Sequence, residues 1–209
     1  MKNPVVKLMA EYLEQFGEFK DNHPFLFEEA PALYPIPFFG DIRRATALTL
    51  ALNPARTEFD PDRHWLPGLD EYTLTTRLLH YFDLPLPEPH QWFKKFRHGL
   101  MVEHCSYDSN TAHIDLSPLP TKFRKELNAQ QQIIFGRQIE TQCESDLAKL
   151  LELAPKTRLI LIVDYTFSQS DGSTATTSSF IRSNTRILNL LQAKKRRLKI
   201  WQSGGFVDF

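Results

Sequence analysis

His104, Cys105, His113 and Asp115 are the side chains in this sequence whose types would suit metal or proton chemistry in one short stretch. His113 and Asp115 stand two apart, so any strand that holds them presents both on one face. A zinc centre needs three or four ligands converging at fixed geometry, and no two histidines stand at a zincin spacing. The expectation is therefore a polar strand edge and no metal. Cys105 and Cys143 are too few for a disulfide framework, a four-cysteine site or an iron–sulfur cluster, and read as small buried apolar residues. Other chemistries are missing at the motif level. The sequence holds no glycine-rich phosphate loop followed by lysine, no dinucleotide fingerprint and no Gly-x-Ser-x-Gly elbow.

The elements that must carry any site alternate between strand and helix. An amphipathic helix over 4–19 opens the chain, followed by a segment rich in proline and aromatics, Phe25 to Asp41, that excludes helix and lies against the core. Ala45–Leu52 is a charge-free run ending at Asn53-Pro54 and reads as a strand buried on both faces. A helix over 69–82, a short one around 91–96, a strand over 112–116 and a long helix over 128–153 follow. Arg158–Val163 is the clearest strand, a polar loop from Ser168 to Ser179 is expected to be mobile, a helix spans about 176–193, and Leu198–Trp201 is the final strand. Such alternation predicts right-handed crossovers and a parallel sheet covered on both faces. Residues 1–209 are expected to form one α/β domain, with residues 1–40 as an N-terminal helix and arm packed on it.

Ligands of an open parallel sheet collect at the carboxyl ends of its strands. Four loops follow from that rule alone: Asn53 to Phe59, Ser117 to Thr121, Asp164 to Thr166, and Gln202 to Gly205.

Composition narrows the function classes. With 209 residues, 42% of them hydrophobic and 24% charged, the chain has ample apolar material for a core. No stretch reaches the roughly 20 apolar residues of a membrane span, and the N-terminus lacks a signal-peptide core, so a cytoplasmic location is expected. Twenty-five Lys and Arg balance 25 Asp and Glu, which excludes a non-selective polycation.

Ala51-Leu52-Asn53-Pro54-Ala55, directly after a strand, resembles the first motif of the uracil-DNA glycosylase superfamily. It is most similar to the mismatch-specific and thymine-DNA glycosylase branches. His113 to Thr121 resembles the second-strand segment of that superfamily. The likeness covers roughly 40–205 and implies a three-layer α/β/α fold with a central four-stranded parallel sheet.

The resemblance implies roles. Asn53, with Pro54 in the same turn, would hold the hydrolytic water. A neutral amide orients water but is a poor general base, and the plain alternative is that Asn53 caps the turn after its strand. Phe59 would stack on a flipped base, or else covers the core as a loop aromatic. Asp115 would read the base edge, where the family more often has Asn, or Lys in one branch. An ionised carboxylate only accepts hydrogen bonds, which disfavours uracil; the alternative is a hydrogen-bonded strand-end acid. Ser117 lies in the same substrate-binding segment. At the last strand the family carries a His-Pro-Ser or Asn-Pro-Ser motif, and here Gln202 and Ser203 stand in its place, with no histidine. Losing one oxyanion donor lowers rate by about 10²–10³.

Lys122, Arg124 and Lys125, and the cluster with Lys194 and Lys195, are candidate phosphate contacts, although the second cluster also suits a helix C-terminus. These features lead to a divergent glycosylase-like protein acting on DNA or a nucleobase-containing ligand without cofactor. The alternative is a non-catalytic nucleic-acid or nucleotide binding module of the same fold, and a weaker one is a small-molecule enzyme.

Overall fold

The computed structural model describes residues 3–27, 33–54, 68–83, 91–120, 127–169, 171–202 and 205–209. Its centre is built from the apolar runs. Strands β2 (Ala47–Ala51), β3 (Thr111–Asp115) and β4 (Leu159–Ile162) are buried at every position, and β7 (Arg197–Gln202) runs beside β4. These four are mutually parallel, as the alternation of strand and helix predicts. The sheet, however, has six strands rather than four, in the order β1-β3-β2-β4-β7-β8. Its borders are β1 (Phe38–Phe39) and β8 (Gly205–Asp208), both antiparallel to their neighbours. Leu198–Trp201 therefore does not belong to the last strand. Neither border has a hydrophobic period long enough to announce it.

Side-chain alternation along the strands separates two cores. Leu48, Leu50, Ala112, Ile114, Ile160 and Ile162 join the larger one. It receives Val5, Met9 and Tyr12 from α1 (Pro4–Asn22), Leu74 and Leu78 from α2 (Glu71–Leu79), and Ile139 and Leu147 from α5 (Ala129–Leu153). Ala47, Ala51, Leu161 and Val163 point the other way, against Phe96 and Leu100. Phe96 follows α3 (Gln91–Lys95), and Leu100 lies in α4 (Arg97–Val102), a helix beyond the expected one around 91–96. Helices thus cover both faces unequally, in a mixed α/β arrangement.

Two expectations are corrected by local chemistry. The helix expected over 176–193 is two, α6 (Thr177–Ser183) and α7 (Thr185–Gln192), because Asn184 ends one and its side chain accepts the Ile187 N–H to begin the other. The stretch expected as a polar loop from Ser168 to Ser179 carries strand pairing and the start of a helix among its described residues. Strands β5 (Thr166–Ser168) and β6 (Thr174–Thr176) pair across a turn in which Gly172 has φ 82° and Asp171 accepts the Ser173 N–H, and a Thr176–Ser179 capping box opens α6. The hairpin is held against α5 by a close approach: a Cβ added at Gly136 would lie 1.9 Å from the Ser168 carbonyl oxygen.

Candidate functional site

The carboxyl ends of β2 and β3 lie side by side. Ala51 is in register with Asp115, and pairing continues as Leu116 N–H donates to the Ala51 carbonyl and Ser117 N–H to that of Leu52, each at 2.9 Å. The strand ends are therefore about 5 Å apart, which brings Asn53, Pro54, Asp115 and Ser117 to one place. Asn53, half-buried, donates its Nδ2 to the carbonyls of Leu119 at 3.2 Å and Pro54 at 3.3 Å, so its amide clasps the two loops together. Ser117, fully buried, donates to Gln138 Oε1 at 3.0 Å and accepts from the Leu119 N–H. The β3 loop is thereby anchored to α5.

Asp115 is 1% exposed. Its Oδ1 lies 3.2 Å from His113 Nε2, while its Oδ2 is buried with no hydrogen-bond partner. Burial raises the Asp115 pKa, and the neighbouring imidazole offsets only part of that. The carboxyl is thus biased toward its neutral form, which can donate as well as accept. Polar contacts continue through the sheet. His113 Nδ1 is 2.7 Å from Thr49 Oγ1, which is 2.8 Å from the Tyr107 hydroxyl. Burial is also the main reason that the Tyr107 phenol is raised, and the Asp115 charge adds to it.

Half-buried aromatics cover this run of polar groups. Trp92 meets the His113 ring edge-on at 4.7 Å, and its Nε1 donates to the Tyr165 hydroxyl. Tyr165 follows β4 and is raised chiefly by burial, with Asp115 contributing. It is positioned by its neighbour: Asp164 accepts from the Ser178 N–H at 2.7 Å and from the Ser178 hydroxyl at 2.9 Å, tying the end of β4 to α6.

No family model matches the chain. No curated protein and no solved structure matches it either.

The remaining expected site residues divide by position. Gln202 is exposed at the carboxyl end of β7, in register with Gly205, and two strands removed from β2. Lys194 and Lys195 precede β7 and so lie at the amino end of the sheet, away from Asn53 and Asp115, which removes them as phosphate contacts for a ligand at that site. Their neighbour Arg196 does the capping, donating to the carbonyls of Leu190 and Leu151. Phe59, Ser203, Lys122, Arg124 and Lys125 fall outside the described residues. Among the described residues no group of three or more His, Cys, Asp or Glu could hold a metal. His113 and Asp115 face each other instead, and Cys105 donates to the Glu103 carbonyl.

Thr49, Tyr107 and Trp92 were not legible as site residues, whereas Tyr165 lies in the Asp164–Thr166 loop that the strand-end rule selects. The one available signal was that Thr49 is a hydroxyl inside an apolar run.

Proposed function

We propose that the chain binds a nucleobase at the carboxyl ends of β2 and β3 and hydrolyses an N-glycosidic bond, as a divergent relative of the uracil-DNA glycosylase superfamily with its four-parallel-stranded α/β/α core. The observation that carries this reading is Asp115: a buried acid with an unpartnered oxygen, under the half-buried rings of Tyr165 and of Trp92, which packs on its partner His113. Aromatic faces and a single buried hydrogen-bonding group are what recognition of an extruded base requires. Asn53, held by its clasp, orients the water. The water oxygen bonds to the anomeric carbon, the carbon–nitrogen bond breaks, and its electron pair leaves with the base. In its protonated form Asp115 hydrogen-bonds the base as negative charge develops there and keeps its own proton, and the proton lost by the attacking water ends on the departing base. In its protonated form the Asp115 carboxyl donates as well as accepts, which also fits bases with a carbonyl.

The test is strand scission by alkali after incubation with oligonucleotides carrying uracil, hypoxanthine or a G·T mismatch. Scission is expected with the wild type and absent with Asn53→Ala and Asp115→Asn. Equal scission by all three proteins overturns the reading.

One observation favours the binding module instead. The Asn53 amide already serves a structural clasp between two loops. In that case no scission occurs, and affinity for an oligonucleotide falls with salt.

A further inference from the structure

A second set of buried polar groups lies on the other side of the Pro118–Leu119 loop, where α1 and α5 diverge over a cleft of about 480 Å³. That volume lies within the range of small-molecule sites. Phe16 and Phe19 of α1, with Leu119, form an apolar wall, and Gln138 and Gln142 of α5 supply amides opposite. Tyr12 and Asp146 also line it, and they are 2% and 4% exposed. The Tyr12 hydroxyl is buried and makes no hydrogen bond of good geometry; the group it faces is Asp146, whose charge raises that phenol beyond the effect of burial. Asp146 occupies an inward position of α5 among Ile139, Cys143, Leu147 and Leu150, where an apolar residue would pack.

The positive charge nearest this pair is Lys149, which offsets only part of what burial does to Asp146 and is shared with another acid. Lys149, on the same helix, is held by Glu11 of α1 at 3.1 Å. Glu18 and His23 on the α1 side and exposed Arg137 on α5 complete the ionisable lining among the described residues, and the Pro118–Leu119 floor adds none. Burial pushes the Asp146 carboxyl up to about 6, so it is mostly ionised at neutral pH. An ionised acid in such surroundings destabilises the fold unless something positive meets it.

We propose that the α1–α5 cleft is a binding site for a small organic cation, a primary ammonium or amidinium carrying an aromatic or branched apolar body. One N–H reaches the Asp146 carboxylate, a second reaches the Tyr12 oxygen, and the apolar body lies on Phe16, Phe19 and Leu119. This site does not depend on the chemistry at Asp115.

The probe is 2-phenylethylamine, compared with its neutral counterpart 2-phenylethanol, titrated into the full chain by calorimetry and ligand-observed NMR. The amine is expected to saturate in the millimolar range and to bind at least about tenfold more tightly than the alcohol. Asp146→Asn is expected to remove that preference while leaving the alcohol unchanged, and Tyr12→Phe to weaken the amine severalfold. Lowering the pH through about 6 releases the amine from the wild type and from His23→Gln. Equal affinity for amine and alcohol, unaltered amine binding by Asp146→Asn and Tyr12→Phe, or no saturable binding of the amine overturns the proposal.

Discussion

His113 Nε2 lies 3.2 Å from Asp115 Oδ1, and the two side chains are 3% and 1% exposed. This pair is the buried end of a polar chain in a sheet whose other interior positions are mostly apolar. Its protonation state links the site to the stability of the whole fold.

Asp115 holds its proton in the folded chain over a pH range where the unfolded chain has lost it. Stability therefore falls as pH rises from the ordinary value of 3.8 toward the folded pKa, and the loss persists above it. Asp115→Asn is expected to flatten this slope and to be the more stable protein at pH 7. Urea unfolding of both proteins at a series of pH values checks it; a variant less stable at pH 7 than at acid pH, relative to wild type, contradicts it.

Asp146 follows the same sign over a defined window, from 3.8 to about 6. Wild-type stability declines across that window and is flat above it. Asp146→Asn is expected to gain up to about 3 kcal/mol at neutral pH. Thermal and urea midpoints of the variant measure this gain, and they also separate loss of cation binding from loss of structure.

Thr49→Val keeps the shape of a fully buried side chain but removes the oxygen that joins His113 to Tyr107. One fully buried group, His113, and the half-buried Tyr107 hydroxyl lose a partner, at an expected cost of about 1–3 kcal/mol. Thr49→Ser retains the oxygen and is expected to lose less than half as much. Comparing the two by urea unfolding isolates the hydrogen bonds from packing.

Asn53→Ala opens the clasp to Leu119 and Pro54. A loss of about 1–2 kcal/mol is expected, with earlier hydrogen exchange at the Pro118–Pro120 loop. A wild-type exchange profile in the variant would show that the clasp does not hold the loop.

Much of the fold was legible because apolar runs flanked by turn residues announce buried strands. Ala47–Ala51, Thr111–Asp115 and Leu159–Ile162 lie inside the expected runs to within a residue or so. The two border strands were not, since Phe38–Phe39 and Gly205–Asp208 are too short to carry a period. Asn184 broke a helix without being proline or glycine, through a side-chain cap that periodicity does not register. At the site, Asp115 was legible as a polar partner of His113 on one strand face and as the base-reading position that the family resemblance implies. Tyr165 was reached only as part of the Asp164–Thr166 loop, and Thr49, Trp92 and Tyr107 not at all, because they come from separate segments and strand register decides which of them meet.

Gly136 and Gly17 make opposite cases of one substitution. At Gly136 an alanine methyl would run into the Ser168 backbone at 1.9 Å, forcing the β5–β6 hairpin off α5, whereas at Gly17 nothing lies within 4 Å. Gly136→Ala is expected to destabilise by about 1–3 kcal/mol or more. Gly17→Ala is expected to stabilise α1 by about 0.5–1 kcal/mol. Melting temperatures that move the same way for both would refute the distinction.

The reversed border strands have a consequence for how copies of this chain meet. β1 offers two residues and β8 four, each running against the four strands between them. A neighbour trying to extend the sheet would find a template too brief to zip onto, and at β8 one that ends in the charge of Asp208. Edge-to-edge growth into fibrils is discouraged by the same ribbons that finish the sheet.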